Sequence, residues 1–113
     1  MKNQAVSYTI SSFGATDRGL IRPRNEDYWA EIIEKGIFAL ADGMGGHKAG
    51  DVAAKEAVSI TLDLLSCSSI LESKDLELQD TLDVMRFVIQ KANASVYEKS
   101  LADSSVKGMG TTL

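Results

Sequence analysis

The chain has 113 residues, 44% of them apolar and 25% charged, with a formal net charge of −4 and a single cysteine. These proportions are average for a globular domain and exclude a disordered tail, a collagen-like repeat and a disulfide scaffold. One domain fits the length, with roughly two-thirds of the unfolded-chain surface expected to be buried.

Met1–Ile10 carries no signal-like apolar stretch, and Val6–Ser11 alternates apolar and polar residues, which predicts a half-buried strand. Gly14–Arg24, with two glycines and the only proline, reads as a loop. Tyr28–Ile33 is rich in aromatic and β-branched residues and predicts a second strand. Ile37–Ala41, apolar throughout, predicts a third that is buried on both faces. Only Glu34-Lys35-Gly36 separates them, which suggests a three-residue hairpin loop with Gly36 left-handed. Pairing Ile33 with Ile37 would set Tyr28 opposite Asp42, Asp27 opposite Gly43, and Glu26 on the same sheet face as Asp42. Three carboxylates would then share one end of the hairpin, which is unfavourable unless a cation or protons neutralise them.

Asp42-Gly43-Met44-Gly45-Gly46 follows the third strand and precedes a helix. A phosphate cradle there would need Gly-Lys-Ser/Thr, where Gly46-His47-Lys48-Ala49 stands, and a dinucleotide loop would need Gly in place of Lys48. Carboxylates beside a backbone carbonyl suit Mg²⁺ or Mn²⁺ better. Arg22 and Arg24 flank Pro23 just upstream, and a guanidinium beside such a cluster is the arrangement expected for phosphate-ester chemistry.

Asp51–Leu65 predicts a helix whose buried stripe is Ala54, Ala57, Val58, Thr61, Leu62 and Leu65. Ser66–Lys74 breaks it. Cys67 has no partner for an internal disulfide and no histidine to activate it, so it reads as a half-buried structural thiol in a reducing, cytoplasmic setting. Leu78, Leu82, Met85, Ile89, Ala92 and Val96 form the stripe of a longer helix, widened by Val84 and Val88, which should pack on both a helix and a sheet. Gly108-Met109-Gly110-Thr111-Thr112-Leu113 is a glycine turn opening another strand, and an end on an apolar strand start suggests truncation. Residues 51–113 hold the whole charge excess, with 6 basic and 10 acidic groups, read as solvated helix faces. No basic run suggests a nucleic-acid partner, and the longest apolar run, Gly36–Ala41, is far shorter than the roughly 18 residues of a membrane span.

Arg22-Pro-Arg-Asn-Glu26-Asp27, the strand ending in Ala41-Asp42-Gly43-Met44-Gly45-Gly46, and Gly108-Met109-Gly110-Thr111-Thr112 resemble successive motifs of the metal-dependent serine/threonine phosphatases, the PPM or type 2C family. Thr16-Asp17-Arg18-Gly19 is similar to the bacterial branch. The resemblance implies an α+β fold, with residues 1–113 as the N-terminal part of a single four-layer α-β-β-α sandwich, cut after Leu113. It implies two Mn²⁺ or Mg²⁺ ions bridged by Asp42, with the Gly43 carbonyl and Glu26 as further ligands, Asp27 holding metal-bound waters, and Arg22 gripping the substrate phosphate. A metal-activated water would attack phosphorus without a phosphoenzyme. Substrates would be phosphorylated proteins, among them a serine/threonine kinase. The remaining family aspartates would lie beyond Leu113. Some relatives carry a His directly after Asp-Gly, where Met44 stands here, which leaves the role of His47 open. A non-catalytic regulatory module on the same fold, or a nucleotide-binding βα unit using the glycine loop, are the alternative readings.

Overall fold

The computed structural model describes residues 6–44 and 49–113. Its elements are β1 (Asp27–Ile32), β2 (Ile37–Met44), α1 (Gly50–Ser66), α2 (Leu78–Ala102) and β3 (Gly110–Thr111), with short 3₁₀ turns at Ile33–Lys35, Ile70–Glu72 and Ser104–Val106. The strands form one antiparallel sheet in the order β1-β2-β3, with β2 in the centre. Together these elements make the expected α+β fold, one antiparallel sheet with two helices.

The hairpin closes differently from the expected three-residue loop. Ile33 leaves the ladder to start a 3₁₀ turn, the Gly36 N–H donates to the Ile33 carbonyl at 3.0 Å, and Gly36 is left-handed at φ +64°. Ile32, not Ile33, therefore pairs with Ile37, and each opposed pair moves by one residue. Tyr28 faces Ala41 and Asp27 faces Asp42. A one-residue slip exchanges the faces, so the expectation that Glu26 and Asp42 share a face is overturned. Glu26 stands opposite Gly43, whose N–H donates to the Glu26 carbonyl at 3.0 Å.

α1 lies across the inner sheet face. Ala41, Ala54, Val58 and Leu62 form one core there, flanked by Tyr28, Ala30, Ile32, Ile37 and Ala39. On its other side Ala53, Ala57, Val96, Val106 and Met109 join α1 to α2 and to the approach to β3. Every residue of the expected α1 stripe is buried. The α2 face is as expected at Val88, Ala92 and Val96, which are buried together with Ser100, but not at Leu78, Leu82, Met85 and Ile89, which are exposed. Alanine and serine let α2 approach the alanine-rich face of α1, and that contact, rather than side-chain size, selects the buried residues.

β2 is not buried on both faces. Phe38, Leu40 and Met44 are exposed on its outer side. Val6–Ser11 forms no strand and is exposed, because an alternating pattern needs a hydrogen-bonding partner and a surface to bury one face, and among the described residues it has neither. The accessible surface is 8621 Å², against roughly 17,700 Å² for an unfolded chain of this mass. About half is buried, not the expected two-thirds.

A polar clasp joins the helices. The Ser95 hydroxyl donates to Glu56 at 2.7 Å and the Lys99 ammonium at 3.0 Å. Chiefly through the Ser95 bond, and then through Lys99, the clasp holds the Glu56 carboxyl below its ordinary value of 4.5. A depressed carboxyl stabilises the fold above the unfolded-state value and loses that contribution as pH falls through the folded-state value. The denaturation midpoints of the parent and Glu56→Gln should therefore differ at pH 7 and converge once the pH has fallen below the folded-state value. An equal gap at both pH values would show that the clasp adds no charge-dependent stability. Val58, fully buried against the sheet, should cost about 2 kcal/mol on truncation to Ala. Leu40→Ser, at an exposed position of the outer face, should change stability by less than about 0.5 kcal/mol in the same urea titration.

Candidate functional site

The site lies where β2 passes between its two neighbours, at the end of the hairpin away from its turn. Because Glu26 and Gly43 occupy a hydrogen-bonded ladder position, the next pair, Asp27 and Asp42, is a non-hydrogen-bonded one. Such pairs bring Cα atoms to about 4.5 Å and side chains closer than elsewhere in a sheet. Both carboxylates are on the outer face. Like charges about 4–5 Å apart repel by about 1 kcal/mol in water and more where water is partly excluded, and sheets otherwise avoid such pairs.

Residues distant in sequence hold both aspartates. The Thr16 hydroxyl donates to Asp27 Oδ2 at 3.1 Å and accepts from Asn25 Nδ2 at 2.9 Å. Asn25 Oδ1 in turn accepts the Asp27 N–H at 2.9 Å. On the other side of β2, the Thr112 N–H donates to the Asp42 carbonyl and the Asp42 N–H donates to the Thr112 hydroxyl, both at 3.0 Å.

Glu26 points the other way, toward the start of α1. Its Oε1 is buried and has no hydrogen-bond partner among the described residues. A Cβ on Gly50 would lie 2.9 Å from that oxygen and 2.8 Å from the Met44 nitrogen, while one on Gly43 would overlap the Gly50 carbonyl and lie 2.6 Å from that of Glu26. These contacts are largely with backbone, so both positions need glycine for the strand and helix to meet here.

The structure thus brings Asp27 and Asp42 together and sets Glu26 on the reverse side of the same strand end. The expected three-carboxylate cluster on one face is not formed, and among the described residues no three Asp, Glu, His or Cys side chains make a metal-holding group. The donors that are present, two adjacent carboxylates and an orphaned buried carboxylate oxygen, are hard oxygens of the kind Mg²⁺ or Mn²⁺ takes. They fit such a cation in chemistry and would make up only part of a ligand set.

Arg22 is exposed in the loop before β1 and makes no ion pair among the described residues. Arg24 pairs with Asp51 in the first turn of α1 at 3.6 Å. Met44 ends β2, and Gly45, Gly46, His47 and Lys48 lie outside the described residues. Sequence reasoning missed Thr16, Asn25, Gly50 and Thr112 as site residues. Thr16, Asn25 and Thr112 fall inside the motifs quoted above, which was the available signal; nothing local marked Gly50.

The sequence model of the family described as Protein phosphatase 2C matches residues 22–113. A protein named Serine/threonine phosphatase stp from Listeria monocytogenes is 39% identical over 104 residues, covering 87% of this chain and 38% of the relative. Serine/threonine protein phosphatase PstP from Mycobacterium tuberculosis is 33% identical over 108 residues, covering 96% of this chain and 19% of the relative. Protein phosphatase PhpP from Streptococcus pneumoniae is 29% identical over 101 residues, with 87% and 39% covered. The chain therefore spans less than two-fifths of the length of these relatives.

Gly43→Ala tests the packing behind the site. The added methyl meets the Gly50 and Glu26 carbonyls, which cannot rotate away, so the substitution should cost about 1–3 kcal/mol in a urea titration. Gly110→Ala, whose Cβ would meet only the Met44 side chain at 3.6 Å, should cost less than about 1 kcal/mol. Equal costs would mean that β2 and the start of α1 are not in this close contact.

Proposed function

The chain belongs to the protein phosphatase 2C family, and on that premise we propose that the full-length protein hydrolyses phosphoserine and phosphothreonine on other proteins with Mn²⁺ or Mg²⁺ at Asp42. Residues 1–113 are in this reading the N-terminal part of a longer phosphatase domain acting in the cytoplasm. The observation that carries it is the direct pairing of Asp27 with Asp42. Two carboxylates placed opposite each other at a strand end are a cost to the sheet that a divalent cation removes.

Asp42 and the Gly43 carbonyl would hold the cations, with Glu26 contributing from the reverse side through its unpartnered oxygen. Asp27, oriented by Thr16, would accept hydrogen bonds from coordinated water. Such cations, when bound, lower the pKa of water toward neutrality, which is the chemistry that phosphate-ester hydrolysis requires. Arg22 suits the phosphate: its planar fork matches phosphate oxygens, and the neighbouring Arg24 is already engaged by Asp51. Phosphorylated proteins, including a serine/threonine kinase, are the proposed substrates, and the names of the relatives support that class.

The roles separate in the full-length protein. Asp42→Asn should abolish Mn²⁺-dependent hydrolysis of p-nitrophenyl phosphate, and excess Mn²⁺ should not restore it. Arg22→Ala should leave Mn²⁺ affinity unchanged by calorimetry and raise KM by the equivalent of about 1.5–3 kcal/mol, one charge-assisted contact. If Arg22→Ala weakens Mn²⁺ binding as much as Asp42→Asn does, the roles are misassigned. If the parent binds phosphopeptide without turning it over, the non-catalytic module replaces this reading.

A further inference from the structure

The Gly110-Thr111-Thr112 segment stood out in the sequence, yet the proposed chemistry gives it no role. In the structure it is the third strand, pairing Gly43 with Thr111 and Met44 with Gly110. The next position along the ladder is Asp42 opposite Thr112, and there the hydrogen bonding changes. The Thr112 N–H makes the ordinary bond to the Asp42 carbonyl. The Asp42 N–H, which in a regular ladder would donate to the Thr112 carbonyl, donates to the Thr112 hydroxyl at 3.0 Å. That carbonyl is instead taken by the Thr111 hydroxyl at 2.8 Å. The Thr112 hydroxyl can also donate to the Asp42 carbonyl, a long contact at 3.4 Å. One side chain thus engages both peptide groups of Asp42, and does so from 70 residues away.

The location gives this a consequence. The Asp27–Asp42 pair is a non-hydrogen-bonded one, so β1 offers the Asp42 backbone no bond at that position. Like charges directly opposite each other across the ladder are unfavourable, so the position of Asp42 depends on bonds made elsewhere. Among the described residues, the hydrogen bonds of the Asp42 N–H and C=O themselves go to the β3 side, to Thr112. We propose that the Thr112 hydroxyl is a positioning group, which fixes the Asp42 peptide and so holds its carboxylate beside Asp27 for divalent-cation binding. The proposal rests on the reading of Asp42 as a cation ligand. Thr112 touches neither cation nor substrate in it. A β-branched residue suits the task because its χ1 is restricted, so the hydroxyl is held where the Asp42 N–H needs it.

The test uses the full-length protein in five forms: parent, Thr112→Ser, Thr112→Val, Thr111→Val and Asp42→Asn. Mn²⁺ affinity is measured by calorimetry, and exchange of the Asp42 amide is measured without metal. Thr112→Val should bind Mn²⁺ about fivefold more weakly, the worth of one ordinary hydrogen bond, and should expose the Asp42 amide to faster exchange. Thr112→Ser should restore both, and Thr111→Val should leave Mn²⁺ affinity within about twofold of the parent. If Thr112→Val binds Mn²⁺ like the parent while Asp42→Asn does not, the positioning role is wrong and the cation reading stands. If parent and Asp42→Asn bind Mn²⁺ equally, the cation reading fails and takes this proposal with it. Should Thr112→Val not fold, two measurements still decide: an Asp42 amide in the parent exchanging as fast as an exposed loop amide, or a fivefold loss in Thr112→Ser, overturns the proposal.

Discussion

The phase of the β1–β2 ladder is the constraint on which the site depends, and it is set by a turn that touches none of the site residues. Gly36 can close a 3₁₀ turn because it takes a left-handed conformation without a Cβ penalty. Closing the turn removes Ile33 from the ladder, so Ile32 meets Ile37 and, five pairs further on, Asp27 meets Asp42. A ladder one residue out of phase would place Gly43 opposite Asp27 and separate the two carboxylates onto different faces. The same phase puts Gly43 opposite Glu26, and a side chain at that position would prevent α1 from starting against the strand. The hairpin turn, the strand–helix contact and the carboxylate pair are therefore one geometric decision.

Much of this was legible in the sequence, and the parts that were not share a cause. The α1 stripe could be read because a helix packed on a sheet buries a face that follows from helical period alone. Gly36 could be identified as left-handed, but not the length of the turn it ends, since three- and four-residue closures use the same residues there. That one-residue uncertainty carried Glu26 to the wrong face. The α2 stripe was legible at Val88, Ala92 and Val96 and failed at Leu78, Leu82, Met85 and Ile89, where large residues were taken as buried ones. Close approach to an alanine-rich helix admits Ser100, which the expected stripe left out, while Leu82 and Met85 stay exposed. Asp27 and Asp42 could be singled out as acidic residues in suggestive places, whereas the hydroxyls of Thr16 and Thr112 gave no chemical signal of their own.

The exposed apolar residues are distributed according to the same geometry. β2 alternates strictly, with Ala39, Ala41 and Gly43 toward α1 and Phe38, Leu40 and Met44 away from it. The outer face is partly met by the 12–16 segment: the Ser12 hydroxyl donates to Glu31, and Gly14 lies so close to the Trp29 indole that a Cβ would overlap the ring. Thr16, at the end of that segment, reaches Asp27. The contact of the segment with Trp29 is thus what delivers the hydroxyl to the site, which ties the orientation of a carboxylate to an apolar contact two residues earlier.

Both aspartates are therefore held by threonines brought in from elsewhere in the chain, one from the segment before β1 and one from β3. This division suits a pair of like charges. A salt bridge would neutralise each aspartate and compete with any cation for it, whereas a neutral hydroxyl orients the group and leaves its charge available. Thr16 acts on the carboxylate of Asp27, while Thr112 acts on the backbone of Asp42 and leaves all of that carboxylate's lone pairs unused by the bond. Of the two, Asp42 keeps more capacity to coordinate. The asymmetry matches the roles proposed for them, with Asp42 as the cation ligand and Asp27 as the acceptor for water around it.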